Sequence, residues 1–230
     1  MNNTRRHLAV AASALALAAA LGSPPARADA ASDAAALVQK SQATIDAFTA
    51  NKSFPTLRPA LARARAVLIF PSVVKAGFVL GGSGGSGVLL VHDLSAGRWL
   101  GPAFYTMGAA SIGLQAGVSA AEVVMVVQSQ KALDSLYTNK LKLGGDASVA
   151  VGPKGAGAGA SLTADFVVYS TAKGVYAGLS LEGSVLDVRQ KLNEAYYGRP
   201  VAPIDILVQR TVHNPAADPL RTAVANAAGK

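Results

Sequence analysis

No cysteine occurs anywhere in the 230 residues. Disulfides, iron–sulfur clusters and thiolate zinc sites are therefore excluded, and so is a lipid-modified cysteine at a cleavage site. Histidine is nearly as scarce, with three copies. His7 lies in the N-terminal leader, so His92 and His213 remain, without an H-x-x-x-H pair or a His/Asp cluster to make a metal site. No metal and no cofactor are expected. Charged residues make up only 15% of the chain and hydrophobic ones 51%, which excludes a disordered polar chain. Beyond the leader, no apolar run is long and uninterrupted enough for a membrane-spanning helix.

The leader has a clear order. Arg5 and Arg6 precede an apolar run from Leu8 to Leu21, then Pro24-Pro25 and the small-residue site Ala26-Arg27-Ala28. This is the layout of a cleavable secretory signal over residues 1–28, with the processed chain starting at Asp29. The Thr-Arg-Arg start leaves twin-arginine export open beside the general route. Cleavage leaves 18 basic against 13 acidic side chains, a net +5. That balance favours anionic partners such as lipid headgroups and is not itself evidence for nucleic acid, which is not expected. A periplasmic or secreted protein, peripheral on a membrane, is the expected location.

The processed chain changes character near residue 66. Ala34, Leu37, Val38, Ile45 and Phe48 share one helical face, capped by Ser32 or Asp33. A shorter helix fits residues 55–64, with Pro59 in its first turn. From Ala66 the pattern becomes strands: AVLIF, then GVLLVHD. IGLQAGVSA follows, alternating Ile112, Leu114, Ala116 and Val118 on one face, and VYAGLSLEG alternates likewise. EVVMVV and DFVVYS are continuous apolar runs and read as strands buried on both faces. Two helices interrupt the strands, SQKALDSLYTN and VLDVRQKLNEAYYG, the second ending at Gly198. Of the 23 glycines, 20 lie between Gly77 and Gly183. Glycine weakens a strand unless it permits a bulge, a bend or a close backbone approach. An α+β fold is expected, with a glycine-rich, strongly coiled or barrel-like antiparallel sheet, N-terminal helices and two further helices. The domain spans 29–208, followed by a loosely held tail over 209–230.

Two motifs within VLGGSGGSGVLLVHD suggest chemistry and fail on context. Gly81-Gly82-Ser83-Gly84-Gly85 fits the G-x-S-x-G nucleophile elbow, and Gly82, Gly84 and Gly87 fit G-x-G-x-x-G. Both need a helix next, and VLLVHD is a strand pattern. A glycine-rich β-hairpin connection is expected there. No feature places His92 or His213 near Ser83 or Ser86, so no catalytic residue is assigned. Glu122 reads as a strand-end ion-pair partner, and Gly152–Gly159 lacks the G-K-[ST] ending of a phosphate loop.

The segment Ala64–Gly198 resembles the SYLF lipid-binding domain family. The resemblance is carried by ARAVLIFPSVVKAGFVLGGSGGSGVLL and GRWLGPAFYTMGAASIGLQAGVSAAEVVMVVQSQKALDSL, then KLGGDASVAVGPKG, VVYSTAKGVYAGLSLEGSVL and NEAYYG. It implies an α+β domain that binds phosphoinositide or another anionic lipid without catalysis. The tentative lipid-binding residues are Arg58, Arg63, Arg65, Lys75, Lys131, Lys140, Lys142 and Lys154. Behind a secretory signal, actin is not expected as a partner. A structural or protein-interaction domain of the cell envelope is the alternative, and a serine hydrolase using Ser83 or Ser86 the lesser one.

Overall fold

A computed structural model describes residues 25–138, 140–152, 164–173, 181 and 183–229. The leader up to residue 24, Lys154 and most of VYAGLSLEG lie outside these residues.

Helix α1, Pro25–Ala50, starts upstream of the expected Ser32 or Asp33 cap. The alanine-rich stretch before Ser32 favours helix, and a proline is tolerated at the first helical position. Its apolar face holds as read: Ala34, Val38, Ile45 and Phe48 are buried and Leu37 packs against them. Helix α2, Leu57–Arg63, carries Pro59 in its first turn.

Two long strands follow, β1 Ala66–Asp93 and β2 Arg98–Val127, paired antiparallel from Ala66–Val127 to Asp93–Arg98. The glycine run is therefore inside a strand and is not the hairpin connection, which falls at residues 94–97. Its purpose shows in what lies against it. A straight strand would separate Ile69 from Gly87 by about 60 Å at roughly 3.3 Å per residue. Instead, a Cβ on Gly87 would stand 2.5 Å from the Ile69 carbonyl oxygen, and one on Gly85 would strike the Ser72 carbonyl. The His92 N–H donates to the Arg65 carbonyl at 2.9 Å. So β1 doubles back on itself, with β2 following on its outside through register shifts near residues 70–73 and 77–79. The glycines remove the side chains that would hold the two arms apart.

Helix α3, Gln130–Thr138, is capped by Ser129, whose Oγ accepts from the Ala132 N–H at 3.1 Å. Then come β3 Leu141–Lys142, β4 Val149–Val151, β5 Phe166–Lys173 and β6 Val185–Val188. The order is β3-β6-β2-β5-β4, with β1 also against β2. Among the described strand pairs, β4–β5 is parallel and the others are antiparallel. A bridge between Leu143 and Ala147 links the two outermost strands, so the sheet curls round toward its own far edge. This is the coiled α+β architecture expected.

Helices cover both sheet faces. Val67, Ile69, Val124, Val126 and Val167 share one core with α1, α2 and α4 (Gln190–Tyr197). Leu68, Phe70, Val123 and Met125 face the other, with α3 and α5 (Pro203–Leu207). Burial on both sides explains the unbroken apolar runs. Gly198 closes α4 at φ +75°, as read. Residues 185–188, read as the start of that helix, form strand β6 instead, and two more readings need correction. Val118, placed on a buried face by alternation, is 72% exposed, because it sits opposite Ala76 at the outer bend of the hairpin. The described part of the expected loose tail, residues 209–229, is packed: Asn214 caps a short turn at Pro215–Ala217, and helix α6, Asp218–Ala227, buries Leu220, Val224 and Ala227 in the first core.

Candidate functional site

The tight turn joining β1 to β2 is organised by Asp93. Its carboxylate accepts from Ser95 Oγ at 2.6 Å and the Ala96 N–H at 3.2 Å, and from Arg210 Nη2 at 2.7 Å. Arg98 Nε lies 3.8 Å away. The Ser95 hydroxyl, then the Ala96 amide, hold this carboxyl down to about 2 from its ordinary 3.8; burial opposes them and Arg210 adds to the lowering. A depressed carboxylate stabilises the fold above its unfolded pKa and loses that contribution as pH falls through the folded one. Melting temperatures of the parent and Asp93→Asn should therefore differ above about pH 4 and converge toward about pH 2. A gap unchanged across that window would exclude Asp93 as its source.

Arg210 reaches Asp93 from an uncommon backbone position, φ +58°, the one non-glycine residue with positive φ among those described. The Thr211 N–H, bonded back to the Asp205 carbonyl at 2.9 Å, fixes this reversal after α5. Around the turn lie two hollows that share Leu100 and Arg210. The first, about 350 Å³, is lined by Arg65, His92, Asp93, Leu94, Val208 and Arg210 among others. Its rim is amphiphilic: Leu94 is 47% and Val208 49% exposed, with the arginines beside them. The second, about 300 Å³, lies among Arg98, Trp99, Arg210, His213 and Arg221.

Arg221, on α6, is the most tied down of these cations. Nη1 donates to the Gly101 carbonyl at 2.5 Å, and Nη2 to the Asn214 carbonyl and to Asp218. Nη2 also lies 2.8 Å from His213 Nε2. His92 stacks flat on Trp99 with ring centres 4.6 Å apart, and its Nδ1 lies 3.0 Å from the Ala64 carbonyl.

Of the eight residues expected at a lipid site, Lys154 lies outside the described residues, and among the other seven only Arg65 lines these hollows. Arg58 donates Nη1 to the Asn226 carbonyl at 3.2 Å, Arg63 ends α2 on the surface, and Lys75 sits in β1 opposite Ser119. Lys131 is on α3, Lys142 is in β3, and Lys140 pairs with Asp187 at 3.1 Å. Arg98, Arg210 and Arg221, not among the eight, line the second hollow. Arg98 follows the Ser95-Ala96-Gly97 turn beside Asp93, which was the one available signal. The other two lie in a segment read as loose.

The catalytic motifs find no support in the geometry. Gly81–Gly85 lies inside a strand that continues to Asp93, with no helix after it. The Ser86 Oγ accepts a hydrogen bond from Arg189 Nη1 at 2.6 Å, and a guanidinium cannot serve as its base. Glu122 accepts from Thr171 Oγ1 at 3.1 Å. No group of three potential metal ligands occurs among the described residues, and no described helix is long and apolar enough to cross a membrane.

Residues 108–227 match the family described as Ysc84, Las17-binding protein actin regulator. The match runs through α6, which makes that helix part of the domain. Among curated proteins, protein YSC84 of Saccharomyces cerevisiae is 36% identical over 167 residues, 70% of this chain and 35% of its own length. An SH3 domain-containing protein of Schizosaccharomyces pombe is 37% identical over 66% of the chain and 37% of its own. SH3 domain-containing YSC84-like protein 1 of Bos taurus is 32% identical over 64% and 44%. The chain thus spans well under half the length of these relatives. No solved structure matches. The family description and these names point to actin-regulatory protein partners for the relatives, and they overturn the expectation that set actin aside on the strength of the leader. The chain belongs to the Ysc84 family, the SYLF group it resembles in sequence.

Proposed function

We propose that this protein is a non-catalytic binding domain that docks on anionic phospholipid through the β1–β2 turn, after export directed by residues 1–28. One observation carries the reading: two exposed apolar side chains, Leu94 and Val208, stand among Arg65, Arg98 and Arg210. An apolar tip ringed by arginines suits the boundary between headgroups and acyl chains, where each cation near an anionic surface contributes about 1 kcal/mol. Reversing one charge then costs about 2 kcal/mol, roughly thirty-fold in affinity.

Co-sedimentation with phosphatidylcholine vesicles, with and without phosphatidylglycerol, tests this at low and high salt. Binding should require the anionic lipid and weaken with salt. Arg65→Glu and Leu94→Asp should each reduce it, and Lys140→Glu should not. Equal loss in all three variants, or binding to neutral vesicles alone, sinks the assignment. A processed N-terminus other than Asp29 sinks the export step.

The relatives' names favour a second reading, a protein partner of the actin-regulatory kind. A stable complex with a Las17-like protein, unaffected by Arg65→Glu and accompanied by no vesicle binding, would replace the first reading with this one.

A further inference from the structure

We propose that the two hollows flanking Arg210 form one groove for an extended peptide segment that carries a carboxylate beside an apolar side chain. The inference goes beyond the lipid reading and does not rest on it. Vesicle docking needs neither the second hollow nor the chain at Val212 and His213.

Three observations carry it. The first is how the linings are sorted. The second hollow has Arg98, Arg210, Arg221 and His213 in its walls and, among the described residues, no carboxylate. The first hollow offers Leu94, Leu133, Leu207 and Val208. Its two acids are engaged, Asp93 by Arg210 and Asp134 by Gln130 Nε2 at 2.8 Å. Leu100 and Arg210 belong to both linings, so the hollows adjoin. Side chains two apart in an extended chain, about 7 Å, reach both sides of such a shared wall.

The second observation favours a polypeptide over any other carboxylate. Val212 and His213 line the second hollow from the irregular chain between α5 and α6. Among the described residues, neither their N–H nor their C=O groups enter a backbone hydrogen bond. Open main-chain groups of this kind pair with another extended backbone, while the flanking pockets select its side chains.

The third is Arg210 itself. Arginine adopts its left-handed backbone at a cost, and stability alone favours glycine there. Its guanidinium gives Asp93 only Nη2, at 2.7 Å, and Arg98 approaches the same carboxylate only through Nε, at 3.8 Å. Each guanidinium has five N–H donors in a fixed fork. Both therefore keep donors for a second carboxylate, which the fork fits with two parallel bonds.

The test is fluorescence anisotropy of the full chain with peptides labelled at the N-terminus. The amidated peptide Gly-Leu-Glu-Leu-Gly should bind. Replacing its Glu by Gln, or both Leu by Ala, should weaken binding roughly tenfold or more, and methylating the Glu amide nitrogen should weaken it as well. Arg98→Gln and Arg210→Gly should each cost about tenfold, and Lys140→Glu nothing. Glycine relieves the backbone at position 210, so loss of binding in a variant that still melts cooperatively is not misfolding. Gly-Leu-Gln-Leu with a free C-terminal carboxylate separates the sources. If it binds as well as the Glu peptide, the groove takes a chain terminus; if only the Glu peptide binds, it takes an acidic side chain. Equal binding of the amidated Glu and Gln peptides, binding unchanged in both arginine variants, or no peptide binding at all overturns the groove. Any of these three results leaves the lipid reading to its own co-sedimentation test.

Discussion

Gly87→Ala is expected to cost the fold several kcal/mol, where Gly82→Ala costs almost nothing. The new methyl at position 87 would stand 2.5 Å from the Ile69 carbonyl oxygen and from the Phe70 ring. Backbone on the doubled arm of β1 cannot turn aside as a long flexible side chain could, and Phe70 is fully buried. Overpacking of this kind costs roughly 1–3 kcal/mol, and more where main chain must move. At Gly82 the nearest atom to the same methyl is the Ala109 carbonyl oxygen at 3.4 Å, an ordinary contact. There the loss of unfolded-state freedom makes alanine neutral or favourable by about 0.5 kcal/mol. Urea unfolding of the two variants decides the matter. Similar midpoints would mean that the arms of β1 do not press together, and the folded-back strand would be wrong.

The contrast between Gly82 and Gly87 also marks how far sequence could reach. Alternation and apolar runs located β1, β2 and β5, because a residue's face is a local property of period two. The helical face of α1 was legible for the same reason. That glycines cluster where backbones approach was legible as well, but which backbones was not. Ser72 and Gly85 meet only because a bend some ten residues long brings them together, and no pattern in either arm encodes that meeting. A glycine-rich corner between strands was the simplest local solution, and the doubled-back arm is a tertiary one. The arginines around the turn were hidden for a different reason. Arg58, Arg63 and Arg65 are close in sequence and stand out as a basic stretch. The hollows instead draw Arg65, Arg98, Arg210 and Arg221 from four separate stretches of the chain onto one turn. Their convergence depends on Asp93 and on α6 being docked, neither visible as a motif.

Removal of residues 209–230 should abolish cooperative folding, or lower the melting temperature by well over ten degrees. Leu220, Val224, Ala217 and Ala227 lose contact with the α1 side of the sheet, and all four are at most 2% exposed. Burial of one leucine, one valine and several alanine methyls amounts to about 5 kcal/mol as an upper figure. A domain this size has a total stability of about 5–15 kcal/mol, so the loss takes a large share of it. Arg221 also goes, freeing the Gly101 carbonyl. Leu220→Ala separates packing from the loss of the helix, with an expected cost of about 2–5 kcal/mol. The spacing of Leu220, Ala223, Val224 and Ala227 was a helical stripe all along, behind a proline-marked start at Asp218-Pro219. Alanine hid it, since small side chains look indifferent in a sequence and fit only where another helix comes close. A truncated chain that melts cooperatively at the parent temperature would return the segment to a loosely held tail. It would also take Arg221 out of the second hollow.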